Sequence, residues 1–435
     1  MTIEIEVKFI ATPEAAKNLP ARLVAWPHQH TAPLKLTNIY FETAESQLRR
    51  WDMGLRIRGF DDRYEMTLKA AGQTVGGLHQ RPEYNVDIEK PELAIDRLPA
   101  EIWPEGCDVA ALQQQLKPLF STNFVRERWV VTYKESEIEI AFDQGEVSAG
   151  ALSEPLCEIE LELKSGERDD LLAFAAELTD LGGLRLGSLS KAARGYALAR
   201  GNPARELRPL TVMKVKPKAT VEEGMLAAFT LALSQWQYHE ELWLRGNSAA
   251  QHEVRQALEA LRQTFSLFGS LVPRKASNEL RHSLTGLEEA LLEEQVQAES
   301  LCFTPLSLRT QLALTNWIVT ERWRGFIDAK ADAKLQGSFK RFSDIMLGRI
   351  AADLKETFAS VKQMNEYQDK LTRLHRQLLA ARLLAGAYDP AAVEAWMQSW
   401  EQLAQAIESG QEVWLESHSR QALKQAAFWK NGTAL

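Results

Sequence analysis

Glu4, Glu6 and Lys8 occupy alternate positions in the opening run MTIEIEVKFI, with Ile3, Ile5, Val7 and Phe9 between them. At the two-residue period of a strand, the charged side chains share one face and the apolar ones the other. The arrangement recurs: Arg56 and Arg58 oppose Leu55 and Ile57, and Glu65, Thr67 and Lys69 oppose Tyr64, Met66 and Leu68. Arg81 with Glu83, Arg126 with Arg128, Glu137 and Glu139 with Asp143, and Glu158 with Glu160 and Glu162 continue the series. A single polar strand face is ordinarily wetted by solvent. Seven solvent faces would mix in Ser, Thr, Asn and Gln, whereas here Arg, Lys and Glu dominate. If the charged face is the outside of a closed sheet, the apolar face is simply packed core. If it lines a lumen, crowded carboxylates raise one another's pKa unless a cation lies between them. All-oxygen ligands suit Mg²⁺ or Mn²⁺ better than zinc. The neighbouring Arg and Lys side chains then require a dense anion, and a polyphosphate matches the planar arginine fork.

The elements that must position these residues fall into two textures. From residue 1 to about 165, short alternating runs separated by Gly, Pro and Asp read as about eight strands, mostly joined by hairpins, in an antiparallel sheet or barrel. Residues 168–182 read as helical, and SKAARGYALAR closes the segment. Residues 201–219, rich in proline and basic side chains and without a sustained period, form the linker. Beyond it the period becomes helical: Val254, Leu258, Leu261, Phe265 and Phe268 form one stripe, and Val393, Trp396, Trp400, Leu403 and Ile407 another. The expectation is an α+β multidomain chain: residues 1–200, a linker at 201–219, and an all-α helical-bundle domain at 220–435.

Composition narrows the function. The net charge of −8 resides in the first 200 residues and the remainder is close to neutral, which argues against a nucleic-acid partner. Cys107, Cys157 and Cys302 are too scattered for a disulfide framework or a zinc site, so a reducing compartment fits. The start lacks the order of a secretory signal, and no run approaches the roughly 20 apolar residues of a membrane span. The expected location is the cytoplasm, with no membrane partner. Phosphate-cradling G-x-x-x-x-G-K-[ST] and G-x-G-x-x-G loops, a second histidine after HEVRQ, and a G-x-S-x-G elbow are all missing.

EIEVK at the start, followed in order by YFET, LRIR, TLK, RPE, RER, IAFD and EIELEL, resembles the CYTH family of triphosphate tunnel metalloenzymes over about residues 1–200. The resemblance implies a closed antiparallel eight-stranded barrel around a charged tunnel. It implies that Glu4 and Glu6 hold one metal, Mg²⁺ or Mn²⁺, and that Glu160 and Glu162 hold a second that activates water. Lys8, Arg56, Arg58, Lys69, Arg81, Arg126, Arg128 and Lys191 are then phosphate-binding, with Glu160, Glu162 and Lys8 as the catalytic set. Glu65, Glu83, Glu139 and Asp143 are reserve ligands or internal ion-pair partners. The helical half resembles the CHAD domain more loosely, which implies polyphosphate binding. Candidate residues there are His239, His252, Arg255, Arg262, Arg281 and His282, with RWRGF, Lys330 and Lys334 as a second basic patch. The function that follows is hydrolysis of inorganic triphosphate. Thiamine triphosphate or a nucleoside triphosphate as substrate, a class IV-like adenylate cyclase, and a polyphosphate-binding protein with an idle barrel are the alternatives.

Overall fold

The structure is a computed structural model and describes residues 1–430. Its strands are β1 (Thr2–Ala11), β2 (His28–Glu42), β3 (Gly54–Phe60), β4 (Arg63–Lys69), β5 (Gln73–Val75), β6 (Leu78–Ile88), β7 (Lys117–Tyr133), β8 (Ser136–Ala149), β9 (Leu152–Ser165) and β10 (Leu184–Leu186). Eight of them close in the order β1-β9-β8-β7-β2-β3-β4-β6, with β6 pairing back to β1 and every pair antiparallel. The two short strands lie outside the ring, β5 on β6 and β10 on β1. Three residues are too few to carry a period, which is why alternation alone does not reveal them.

The covering of the apolar face decides which way the barrel is turned. Val7, Phe9, Ile138, Ile140, Ile159 and Leu161 pack outward beneath the helices Pro13–Leu23 and Arg168–Glu177. On the far side Leu55, Ile57, Met66 and Leu68 pack against Ile95, Leu98, Trp103 and Leu112 from the β6–β7 connection. With the apolar alternates taken up outside, the charged alternates face the lumen. One end of the lumen is filled by the helix Lys191–Ala199, started by Ser190, whose hydroxyl accepts from the Ala193 N–H at 3.0 Å. Tyr196 and Leu198 pack there with Phe120, Phe124, Val147 and Leu156. Gly195 permits the approach, since a Cβ at that position would meet the Phe120 ring at 2.0 Å.

Two compact units emerge, and neither is continuous in sequence. Met1–Glu206 is joined by Glu293–Thr320, while Leu207–Leu292 associates with the described residues from Glu321 onward. The helix Pro305–Val319, which sequence order alone assigns to the helical half, packs with the barrel: Leu308 and Leu312 lie in the cluster of Phe9, Leu172 and Leu186. A helical stripe states that a face will be buried but not against what. The second unit is built from the helices Val221–Leu244, Ala250–Leu267, Asn278–Leu292, Phe339–Phe358, Met364–Leu384, Pro390–Glu408 and Glu412–Lys424. Among the described residues, no helix is long and apolar enough to cross a membrane.

Candidate active site

All the barrel residues expected to bind metal or phosphate line one cavity of about 420 Å³: Glu4, Glu6, Lys8, Arg56, Arg58, Lys69, Arg81, Arg126, Arg128, Glu160, Glu162 and Lys191. Strand register brings them together. Across β1 and β9, Glu6 opposes Glu162 and Lys8 opposes Glu160. Across β1 and β6, Glu4 opposes Arg81 and Glu6 opposes His79. Arg126 opposes Asp143 on β8, and Glu139 opposes Glu162 on β9.

The carboxylates divide into two groups by what neutralises them. Asp143, Glu158 and Glu160 converge closely enough to hold a metal ion, yet protein cations already fill the space between them. The Lys191 ammonium lies 2.8 Å from Asp143 Oδ2 and 2.6 Å from Glu160 Oε1, and also donates to Glu158. Arg126 grips both oxygens of Asp143 at 2.7 Å and reaches Glu160 Oε2 at 3.0 Å, while Lys8 lies 3.6 Å from Glu160 Oε1. Burial alone would raise the Glu160 carboxyl, but Lys191, Lys8 and Arg126 hold it well below the usual carboxylate range. Asp143 is lowered in the same way, against its burial, by Arg126 and Lys191.

Glu4, Glu6 and Glu162 form the other group. Burial raises Glu6, and Glu160 adds to the effect; among the described residues Glu6 makes no ion pair or hydrogen bond. Glu162 is raised by burial and by Glu4 and Glu139, opposed by Lys164 at 3.3 Å. Glu4 is raised by burial although Lys69 lies 2.8 Å from both of its oxygens. Glu6, Glu162 and Glu139 thus make a row of like charges on adjacent strands, an arrangement that destabilises a sheet unless a cation joins it. The donor set is entirely oxygen, which fits Mg²⁺ or Mn²⁺.

Two basic side chains elsewhere in the lining, Arg58 and Arg81, have the converse deficit. The Arg58 guanidinium, brought down to about 9 by burial and by Arg56 and Arg126, bonds to the neutral Asn38 Oδ1 at 2.7 Å. Arg56 is the exception: despite burial its guanidinium is raised by Tyr40 and Glu83, it bonds to the Tyr40 hydroxyl at 3.5 Å, and its buried Nε has no hydrogen bond. Arg81 has no carboxylate within ion-pair distance among the described residues. Glu83 is differently placed: despite burial, Lys69 and Arg56 hold it at about 2. Of the reserve acidic residues, Glu65, Glu83 and Glu139 also line the cavity, and Asp143 lies fully buried behind it. Glu137 is exposed beside an irregularity in the β8–β9 pairing.

Sequence reasoning missed His79, Tyr40, Arg49 and Tyr196 in the lining. His79 shares the parity of Arg81 and Glu83, so the alternation contained the signal; burial, Lys8 and Arg81 bring its imidazole down to about 4. Arg49 comes from the short helix Gln47–Arg50, where no strand period applies.

Most of the candidates in the helical unit are engaged by neighbours. His239 is structural: its Nε2 accepts from the Arg208 N–H at 3.0 Å, which leaves Nδ1 to donate to the Gln235 carbonyl at 2.7 Å. Arg262 pairs with Glu288 at 2.6 Å, Arg255 donates to the Leu291 carbonyl, and Arg281 bonds to the Arg274 carbonyl at 2.8 Å. His252, His282, Lys330 and Lys334 are exposed, and Arg324 of RWRGF pairs with Glu222 at 2.7 Å. A cavity of about 730 Å³ in this unit is lined instead by Arg349, Lys370, Arg373 and Arg376 with Asp353 and Asp369.

The lumen of this closed antiparallel barrel thus brings under-compensated carboxylates and guanidinium groups to one cavity. Residues 2–196 match the CYTH domain and residues 227–421 the CHAD domain, so the chain is a CYTH domain followed by a CHAD domain. An inorganic triphosphatase of Haemophilus influenzae is 39% identical over 199 residues, which cover 46% of this chain and 55% of that protein. The match therefore spans about half the length of that relative. Among solved structures, a Hippeastrum protein proposed to be an adenylyl cyclase and reported to have a dominant triphosphatase activity aligns at 23% identity and a TM-score of 0.35, covering 45% of this chain and 95% of that one. The CHAD domain from Ricinus communis aligns at 15% identity and a TM-score of 0.40, covering 51% and 85%.

Proposed function

We propose that the chain hydrolyses inorganic triphosphate to pyrophosphate and phosphate with Mg²⁺ or Mn²⁺. The observation that carries this reading is the complementary deficit within the lumen: Glu6 and Glu162 lack sufficient cations, and Arg58 and Arg81 have no carboxylate within ion-pair distance among the described residues. A magnesium or manganese triphosphate would satisfy both groups at once. Glu4 and Glu6 are assigned to one metal and Glu162 with Glu160 to a second, Glu160 being the least free because both of its oxygens already accept from cations. When bound, the metals neutralise the substrate and lower the pKa of a coordinated water. Arg56, Arg58 and Arg81 bind non-bridging phosphate oxygens and stabilise the charge that develops as water adds to the terminal phosphorus and the bond to pyrophosphate breaks. Lys8, at the edge of the Glu160 cluster, meets the transferring phosphoryl. Lys69 screens Glu4, and Arg126 and Lys191 fix Glu160 in place.

An inorganic substrate is favoured over a nucleotide by the aromatic lining. Tyr40 and Tyr196 are packed on Phe120, with ring centroids 4.6 and 5.1 Å apart, and are not free to stack on a base. The test is phosphate release from inorganic triphosphate, ATP and thiamine triphosphate, each with Mg²⁺, Mn²⁺ or EDTA. EDTA-sensitive turnover of inorganic triphosphate above the other two is expected. Release from none of them, or cyclic AMP from ATP, would overturn the reading.

A further inference from the structure

The barrel wall contains a seam at Lys8. Along β1, the pairing with β6 ends at Val7 opposite Leu78, and the pairing with β10 begins at Phe9 opposite Leu186. Lys8, which points into the cavity, lies between the two partners. Its carbonyl is held by the Gly187 N–H at 2.9 Å. On the β6 side the seam is bordered by the turn Gly76–Gly77, both at positive φ, and a Cβ on Gly77 would come within 3.0 Å of Leu186. His79 follows two residues later, and its ring reaches the backbone of Gly187 across the same gap.

The helix Pro305–Val319 is attached to both sides of this seam. Just before it, the Phe303 carbonyl accepts from the Gly183 N–H at 3.1 Å, beside β10. Leu308 and Leu312 join the apolar cluster that contains Leu78, Leu184 and Leu186. Thr315, fully buried, places its hydroxyl 2.8 Å from the Gly76 carbonyl oxygen and 3.0 Å from that of Gln311. Most buried hydroxyls in helices bond only to their own preceding turn. This one also reaches a hairpin tip that lies 239 residues away in sequence.

We propose that Thr315 is a positioning residue for the barrel site: by bonding to the Gly76 carbonyl it fastens the β5–β6 turn against β10 and so sets where Lys8 and His79 enter the cavity. The kinetic part rests on the triphosphatase reading; the structural part does not. Three consequences follow from the geometry. Without the hydroxyl, the Gly76 carbonyl is left buried and unpaired. The glycine turn, which has no side chains of its own to anchor it, then loosens. The effect is felt first at Lys8 and His79; of the three cations around Glu160 only Lys8 belongs to this seam, Lys191 and Arg126 lying on other elements.

The experiment compares Thr315→Val, which keeps the shape and removes the hydroxyl, with Thr315→Ser, which keeps the hydroxyl, both in the full-length chain. Amide hydrogen exchange over residues 75–79, measured without substrate, is expected to accelerate by about tenfold in T315V and by less than about twofold in T315S. With inorganic triphosphate and Mg²⁺, kcat/KM is expected to fall about five- to tenfold in T315V, with kcat lowered because Lys8 meets the transferring phosphoryl, and T315S is expected to restore both. Wild-type exchange rates at the turn in T315V would overturn the proposal. So would equal impairment of T315V and T315S, which would mark position 315 as packing alone. If the wild-type chain released no phosphate, the functional reading would fail, and the exchange comparison would still decide the role of Thr315.

Discussion

The barrel and the helical unit both carry many basic side chains, but the two folds leave them in different states. In the helical unit most of the basic side chains first considered for polyphosphate are engaged by neighbours: Arg262 by Glu288, Arg324 by Glu222, Arg255 and Arg281 by helix-end carbonyls. In the barrel Arg58 and Arg81 reach one cavity without a carboxylate in ion-pair distance among the described residues, and Glu6 in the same cavity makes no ion pair among them. A charged residue becomes a candidate for chemistry when folding brings it to a cavity and leaves it uncompensated. Residue type alone does not distinguish the two halves.

The sharpest way to break this comparison is at Lys191, where the barrel itself compensates charge. Lys191→Met leaves Asp143, Glu158 and Glu160 without their shared ammonium in a buried site. A loss of about 3–5 kcal/mol in unfolding free energy is expected in denaturant titrations. A stability near wild type would show that the cluster is compensated in another way. Glu6→Gln has the opposite profile. It removes an uncompensated carboxylate, so thermal stability should hold or rise, while metal-dependent triphosphate turnover falls at least about a hundredfold. Turnover within a few-fold of wild type would remove Glu6 from the metal site.

Smaller effects are expected in the helical unit. His239→Ala deprives the Arg208 N–H of its acceptor and should cost about 1–3 kcal/mol of stability without changing turnover. A loss of polyphosphate binding at unchanged stability, read by titration calorimetry, would instead restore His239 as a ligand. Arg262→Ala removes a half-exposed pair with Glu288 and should cost under about 1 kcal/mol, with triphosphate kinetics unchanged.

How far the molecule was legible in its sequence follows from what alternation encodes. A period of two fixes which side chains share a face, so the cavity-lining residues on β1, β3, β4, β6, β7 and β9 were available before any coordinates. Alternation is silent about which face turns inward, and the covering helices decided that. It is equally silent about compensation: Glu160 and Glu162 are two residues apart on one face, yet one is surrounded by three cations and the other is open to the lumen. That difference depends on Lys191, Lys8 and Arg126, which come from three separate elements. In the helical half the apolar stripes were legible, but not that Pro305–Val319 would be buried against the barrel, nor that His239 would hold the backbone at Arg208.

The discontinuity of the barrel unit has a consequence for the chain as it is made. A ribosome delivers residues in order, at roughly 5–20 per second. The last strand of this unit, β10, is complete when Leu186 has emerged, but the helix that covers Leu184 and Leu186 lies beyond the first helices of the other unit. For the interval between them, about 6–25 s at that rate, the nascent barrel carries an uncovered apolar strip. Translation speed across this stretch therefore sets how long a growing chain must avoid its neighbours before its own later residues arrive.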